Sequence, residues 1–350
     1  PGQEVTSPYS LNTVDLCPVG ALTAKDFRFA SPTWYLENTD SVCTTCARGC
    51  SIQVQARDGR IHRMRPRHNP DVNGYWACDE GRLNYKFVNE GRIHRPFVRR
   101  GAETYEASYE EAIAEMRSVL GFPPAGKVDE PSSVKATILA SAGCTLEELY
   151  QLKKLSRGLS APLFVARHVP DGEDDRLLRR ADKHANVRGA ELLGLTVLDM
   201  NTEGGAVPPA LSEAIGNGGV LVAVGFNTHV SAAVEAAAEA AGKVVALSGC
   251  ETALSGRADL VLPGLTFAEK DGLVVNFEGR VQRLRPAFEP HGRSEWKIIE
   301  EFMASLDGAE GEETISKIRS AIGASEPAFG GVDLVDIGAM GARLDAATVA

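Results

Sequence analysis

The clearest alternation of apolar and polar positions lies early in the chain. Ser51-Ile-Gln-Val-Gln-Ala-Arg57 has the two-residue period of a half-buried strand, Asp58-Gly59 is a tight-turn pair, and Arg60-Ile-His-Arg-Met64 returns. This pattern predicts a β-hairpin, because Asp-Gly tolerates the positive φ angles of two-residue turns. After Arg100 the pattern changes. Ser108-Tyr-Glu-Glu111 and Thr145-Leu-Glu-Glu148 are capping boxes that open helices running to about Leu120 and Arg157. The mainly apolar runs 134–140, 220–224, 243–247 and 258–263 read as strands, and the alanine-rich stretch 231–241 as a helix. Pro123, Pro124 and Pro131 mark a surface loop between the first helix and the strand after it. Strands alternating with helices predict a mainly parallel sheet covered by helices. Ala268 to Arg280 reads as a turn and hairpin. Beyond about Asp307 the chain is rich in Gly, Ala and Glu and predicts no definite element.

Cysteines change this picture most. Cys43, Cys46, Cys50 and Cys78 follow the spacing C-x2-C-x3-C-x27-C. Three thiols so close in sequence can hold three corners of one inorganic cluster, and a distant fourth closes the site. Four thiolates without a nearby histidine suit a [4Fe–4S] cube. Structural zinc is the alternative, although its all-cysteine sites usually pair two C-x2-C knuckles and only one is present. A disulfide framework suits small secreted domains rather than a chain of 350 residues. Cys17-Pro18 resembles the close of a ferredoxin-type motif, but no other cysteine lies within 25 residues of it. Cys144 and Cys250 read as buried apolar residues, and His168 and His229 as ordinary histidines.

Composition narrows the function classes. A chain of 350 residues, 43% hydrophobic, can form two or three domains with proper cores. A net charge of −10 argues against nucleic acid as a partner. No run approaches the roughly 18 apolar residues that span a membrane, and no basic-then-apolar leader opens the chain. Seven cysteines, mostly in metal-ligand spacing, fit a reducing compartment. Beginning at Pro1, the chain is expected to be a fragment or processed product. Charge is uneven: residues 57–100 hold eleven basic and five acidic side chains. Such a stretch could stabilise a buried anionic cluster, form a solvated face, or dock an acidic partner. No G-x-G-x-x-G and no Walker lysine accompanies the strand ends.

With these residues in view, the chain resembles the large iron–sulfur subunit of bacterial NADH-quinone oxidoreductase, respiratory complex I. The likeness runs through Asp15-Leu-Cys-Pro-Val-Gly-Ala-Leu-Thr-Ala-Lys-Asp-Phe-Arg28, the four-cysteine module and Cys78-Asp-Glu-Gly-Arg82, then more loosely through Ala268-Glu-Lys-Asp-Gly and Asn276-Phe-Glu-Gly-Arg280. The resemblance implies that residues 1–35 are the tail of an upstream ferredoxin-like module, 36–100 a small β-rich [4Fe–4S] domain, and 101–350 a degenerate molybdopterin-oxidoreductase-like α/β domain without its cofactor. Cys17 would then be the fourth ligand of a [4Fe–4S] cluster completed upstream, where a [2Fe–2S] centre and a cluster held by one histidine and three cysteines are also expected. Cys43, Cys46, Cys50 and Cys78 match an additional, largely structural cluster. The implied partners are the flavin- and NADH-binding subunit and other iron–sulfur subunits of the peripheral arm. The implied location is the cytoplasmic side of the bacterial inner membrane, with membrane contact only through the complex.

The same module introduces the molybdopterin oxidoreductases, formate dehydrogenases included, and related subunits serve NAD-linked hydrogenases. A catalytic member needs a metal-ligating cysteine or selenocysteine. The corresponding region, Ala166-Arg-His-Val-Pro-Asp-Gly172, has none, and Cys144 falls too early. Glu80 replaces the lysine usual between cluster and pterin, and a carboxylate there repels an anionic ligand. No catalytic residue and no bound molybdopterin are therefore expected on this chain.

Overall fold

The structure is a computed structural model that describes residues 5–123, 134–307 and 313–345. Strands β1 (Glu37–Val42), β2 (Ser51–Arg57) and β3 (Arg60–Pro66) form an antiparallel sheet. Its hairpin turn is the predicted one, with Asp58 at φ 52° and Gly59 at φ 72°. The inward residues Ile52, Val54, Ala56, Ile61 and Met64 pack with Cys43 and Cys50 into one core. The Cys43 and Cys50 thiols therefore sit against the hydrophobic side of this sheet.

The larger sheet contains β4 (Phe97–Arg100), β5 (Glu103–Glu106), β6 (Ala136–Ser141), β7 (Leu163–Arg167), β8 (Thr196–Asp199), β9 (Val220–Val224), β10 (Lys243–Leu247) and β11 (Leu260–Leu262). Their spatial order is β5-β4-β11-β10-β9-β6-β7-β8. The strands from β11 to β8 pair in parallel, while β4 and β5 extend one edge antiparallel. Chain direction across the sheet reverses between β6 and β9. In doubly wound sheets this switch point opens a crevice at the carboxyl ends of the strands.

Helices cover both faces. Tyr109–Val119, Leu146–Leu159, Glu295–Asp307 and Ile315–Ser325 bury Met116, Leu149, Phe302 and Ile318 on one side. Pro209–Ile215 and Ala232–Ala240 bury Leu211, Ile215, Val234 and Ala237 on the other. Both capping boxes are formed, Ser108 with Glu111 and Thr145 with Glu148. The predicted strand at 134–140 runs from Ala136 to Ser141, and that at 258–263 shortens to Leu260–Leu262. The turn and hairpin expected after Ala268 is β12 (Gly272–Val275) with β13 (Arg280–Leu284), joined by β14 (Ala342–Arg343). Pro124 and Pro131 of the expected loop lie outside the described residues. Past Asp307, where no element was expected, Ile315–Ser325 is helical, with Ile318 and Ile322 buried. No described helix is long and apolar enough to cross a membrane.

Candidate metal centre

The loop carrying the first three cysteines joins β1 to β2. It is closed by the Cys43 N–H donating to the Cys50 carbonyl at 2.8 Å. The hairpin β12–β13 holds it from outside: Asn276 Nδ2 donates to the Arg48 carbonyl and Gln282 Nε2 to the Gly49 carbonyl. The return loop is pinned by two buried asparagines. Ser51 N donates to Asn73 Oδ1, and Asn69 Nδ2 donates to Ser51 Oγ. Cys78 follows as the N-cap of the short helix Asp79–Leu83, its sulfur accepting from Gly81 N at 3.3 Å.

Cys43, Cys46, Cys50 and Cys78 are all buried and lie close enough to influence one another's charge. Burial, reinforced by Cys46 and Cys78, pushes the Cys43 thiol up to about 12, against hydrogen bonds from Thr45. Burial likewise raises Cys50 and Cys78, with Arg48 opposing at Cys50 and the Gly81 N–H at Cys78. Gly81 leaves the space between Cys43 and Cys78 open, since a Cβ there would stand 2.9 Å from one sulfur and 3.4 Å from the other. Among the described residues no three His, Cys, Asp or Glu side chains converge to hold a single metal ion. Burial thus favours the protonated thiols of Cys43, Cys50 and Cys78, and binding metal would displace those protons.

A cavity of about 550 Å³ lies beside this centre at the sheet's switch point. Thr44, Thr45 and Glu80 line one wall, and Ser141, His168, His184, Gly225 and Lys270 line the other. Its charges are already paired. Lys183 Nζ lies 2.8 Å from Glu80. Lys270 Nζ lies 2.7 Å from Glu148 and 3.0 Å from Glu295. Burial works against the Lys270 charge, but those carboxylates hold the ammonium above its ordinary range. Burial pushes His168 down to about 3, so it is neutral, with Nε2 2.8 Å from Ser141 Oγ. His184 Nε2 accepts from the His168 and Val169 N–H groups.

Cys17 stands apart. It is the one cysteine of the seven that is not buried, and it lines a separate surface cavity with Arg63, Arg65 and Phe27. Backbone N–H groups, Leu22 first and then those of Ala21, Val19 and Gly20, hold its thiol below the ordinary range. Cys144 is buried with its thiol facing the Val224 carbonyl, and Cys250 is buried against Phe87 and Arg92. Much of the basic stretch 57–100 is neutralised within the fold: Arg65 and Arg82 meet Asp15, Arg67 meets Asp40, Lys86 meets Asp26, and Arg92 meets Glu269. The Lys270–Glu148–Glu295 group left no mark in the sequence patterns. Only the conjunction of a lysine and two glutamates on apolar segments could have signalled it.

Residues 36–90 match the molybdopterin oxidoreductase Fe4S4 domain, and residues 183–305 match the molybdopterin oxidoreductase domain. NADH-quinone oxidoreductase subunit 3 of Thermus thermophilus is 33% identical over 156 residues, 45% of this chain and 19% of the relative. An NADH-quinone oxidoreductase subunit of Rickettsia conorii is 30% identical over 159 residues, 45% of this chain and 22% of the relative. Over less than half of its length, the chain is similar to these NADH-quinone oxidoreductase subunits. It is also similar to the mitochondrial iron-sulfur protein 1 of NADH dehydrogenase [ubiquinone] from Solanum tuberosum, 36% identical over 117 residues, 33% of this chain and 16% of the relative. The chain spans about a fifth of the length of the curated relatives it matches. Among solved structures, acetylene hydratase from Pelobacter acetylenicus superposes with a TM-score of 0.41 at 11% identity, covering 77% of this chain and 69% of that one. That likeness is too loose to carry an argument.

Proposed function

We propose that this chain is an iron–sulfur electron-transfer and structural subunit of NADH:quinone oxidoreductase, with Cys43, Cys46, Cys50 and Cys78 holding a [4Fe–4S] cluster. The observation that carries the reading is the set of four buried thiols, with Gly81 keeping open the space between two of them, Cys43 and Cys78. When bound, the cluster supplies one-electron exchange. The protein's own part is to exclude water, to donate N–H groups to sulfur from Thr45 and Gly81, and to place Arg48 and Lys183 near the anionic centre. Cys17 is a ligand of a further [4Fe–4S] centre completed by residues beyond this chain, among which a [2Fe–2S] centre also belongs. Its partners are the flavin- and NADH-binding subunit and other iron–sulfur subunits, on the cytoplasmic face of the inner membrane.

The switch-point cavity does not fit a metallopterin. Its lysines are internally paired, His168 is neutral, and Glu80 places a carboxylate at the wall facing the centre. The segment Ala166–Gly172 offers no thiol, and Cys144 points its sulfur at a carbonyl. A subunit of a molybdopterin-dependent formate dehydrogenase or NAD-linked hydrogenase is the second reading, favoured only by the shared domain matches at residues 36–90 and 183–305. Affinity isolation of the native assembly decides between them. The flavin- and NADH-binding and quinone-arm subunits should co-purify; a hydrogenase or formate dehydrogenase catalytic subunit in their place contradicts the proposal.

A further inference from the structure

The helix that ends at Cys17 is held by the residues on either side of Cys78. Leu11–Leu16 is only six residues long, and Ser10, its N-cap, makes no side-chain cap of its own. A helix this short is not stable alone in water. Asp79 serves as its cap from 68 residues away. Its carboxylate accepts from Ser10 N at 2.8 Å, Ser10 Oγ at 2.6 Å and Leu11 N at 3.0 Å. The Asp79 N–H donates in turn to the Pro8 carbonyl at 2.7 Å.

On the other side of Cys78, Ala77 exchanges a pair of hydrogen bonds with the buried Asn12: Asn12 Nδ2 donates to the Ala77 carbonyl at 2.9 Å, and Ala77 N donates to Asn12 Oδ1 at 3.2 Å. Four residues after Cys78, Arg82 Nη2 reaches Asp15 at 2.7 Å, two residues before Cys17. Arg82 is buried, and its Nε and Nη1 find no other partner among the described residues. The helix is thus clamped at its start, its first turn and its end by one short turn, which Cys78 anchors to the candidate centre.

We propose that Asn12, Asp79 and Arg82 are positioning residues that make the placement of Cys17 depend on occupancy of the Cys43–Cys78 centre. With the cluster bound, Cys78 is fixed and the turn presents its Asp79 carboxylate and Ala77 carbonyl to the helix. Without it, the turn loses its fixed point, and the helix loses hydrogen bonds to a charged acceptor, each worth more than a neutral one. The Tyr9 hydroxyl, which donates to Asp175 at 2.6 Å, is an independent tether and marks the limit of the coupled segment. The inference rests on the cluster reading above.

Amide hydrogen exchange with iron and sulfide assays on the same samples tests it. In the wild-type protein, removing the cluster anaerobically with a chelator should speed exchange across residues 10–17 about tenfold or more, as expected for lost charged hydrogen bonds. Asp79→Ala should do the same while iron is retained, and Asp79→Asn, which keeps an acceptor oxygen, should recover part of the protection. Site-resolved alkylation of Cys17, the one cysteine not buried, should accelerate in step. If Asp79→Ala fails to retain iron, Asn12→Ala is read by the same criterion. Unchanged exchange at residues 10–17 after cluster removal, or in the iron-replete variant, overturns the coupling. Absence of iron from the wild-type sample overturns the cluster reading instead.

Discussion

Gly81 sits where one added methyl group would stand 2.9 Å from Cys43 Sγ. The same methyl would meet Cys78 Sγ at 3.4 Å, so the smallest substitution intrudes between two candidate ligands. Gly81 lies in the helix Asp79–Leu83 without a positive φ, where alanine ordinarily favours helix by about 1 kcal/mol. Gly81→Ala should therefore cut iron content by half or more, while the metal-free fold changes little in stability, the helix gain being offset by the contact with the Cys43 sulfur. Circular dichroism melts beside iron analysis check both. Full iron occupancy in this variant would show that the space between the two sulfurs is not where the cluster sits.

Arg319 ties the C-terminal helix to the core through charge. Its Nε donates to Glu147 at 2.6 Å and its Nη2 to Asp271 at 2.8 Å, and both Arg319 and Glu147 are essentially inaccessible. Glu147 also accepts from Leu273 N at 2.9 Å. Burial raises the Glu147 carboxyl and Arg319 opposes that rise. Arg319→Ala leaves a carboxylate buried without its cation, which costs about 3–5 kcal/mol. Urea denaturation reads the change. A loss under about 1 kcal/mol, the range of exposed pairs, would mean that the Leu273 N–H suffices for Glu147 without its cation.

Glu295 makes stability depend on pH. Burial first, and then the Glu148 carboxylate, push its carboxyl up to about 8, with Lys270 opposing. A carboxyl raised from 4.5 on folding binds its proton more tightly in the folded state. Its contribution is complete below pH 4.5 and is lost as pH rises through about 8. Glu295→Gln removes that titration, so its unfolding free energy should fall less than the wild type's between pH 5 and 8. Parallel slopes in the two proteins would place the shared proton elsewhere in the Lys270 group.

The sequence announced what depends on local chemistry. Asp58-Gly59 needs positive φ and forms the turn, and Thr145 with Glu148 satisfies helix N–H groups whatever lies beyond. The thiols at 43, 46, 50 and 78 were legible because their spacing is itself the constraint. Strand β7 and the edge strand β8 were not, since Leu163–Arg167 and Thr196–Asp199 are short and only partly buried. Long-range polar contacts left no local trace. Nothing in Asp79 foretells that it caps a helix 68 residues upstream, and nothing in Arg319 foretells Glu147 across 172 residues. The basic stretch left a cluster-stabilising role, a solvated face and a docking face all open, and much of its charge is met by acidic residues from distant segments.

The most direct test of the account is the content of iron, acid-labile sulfide, zinc and molybdenum per chain in anaerobically purified protein. About four irons and four sulfides per chain, the content of one cube, with zinc and molybdenum near zero and the iron lost in Cys50→Ala, is the predicted result. One zinc without sulfide would contradict the cluster and make the four thiols a structural staple, and stoichiometric molybdenum would contradict the reading of the switch-point cavity.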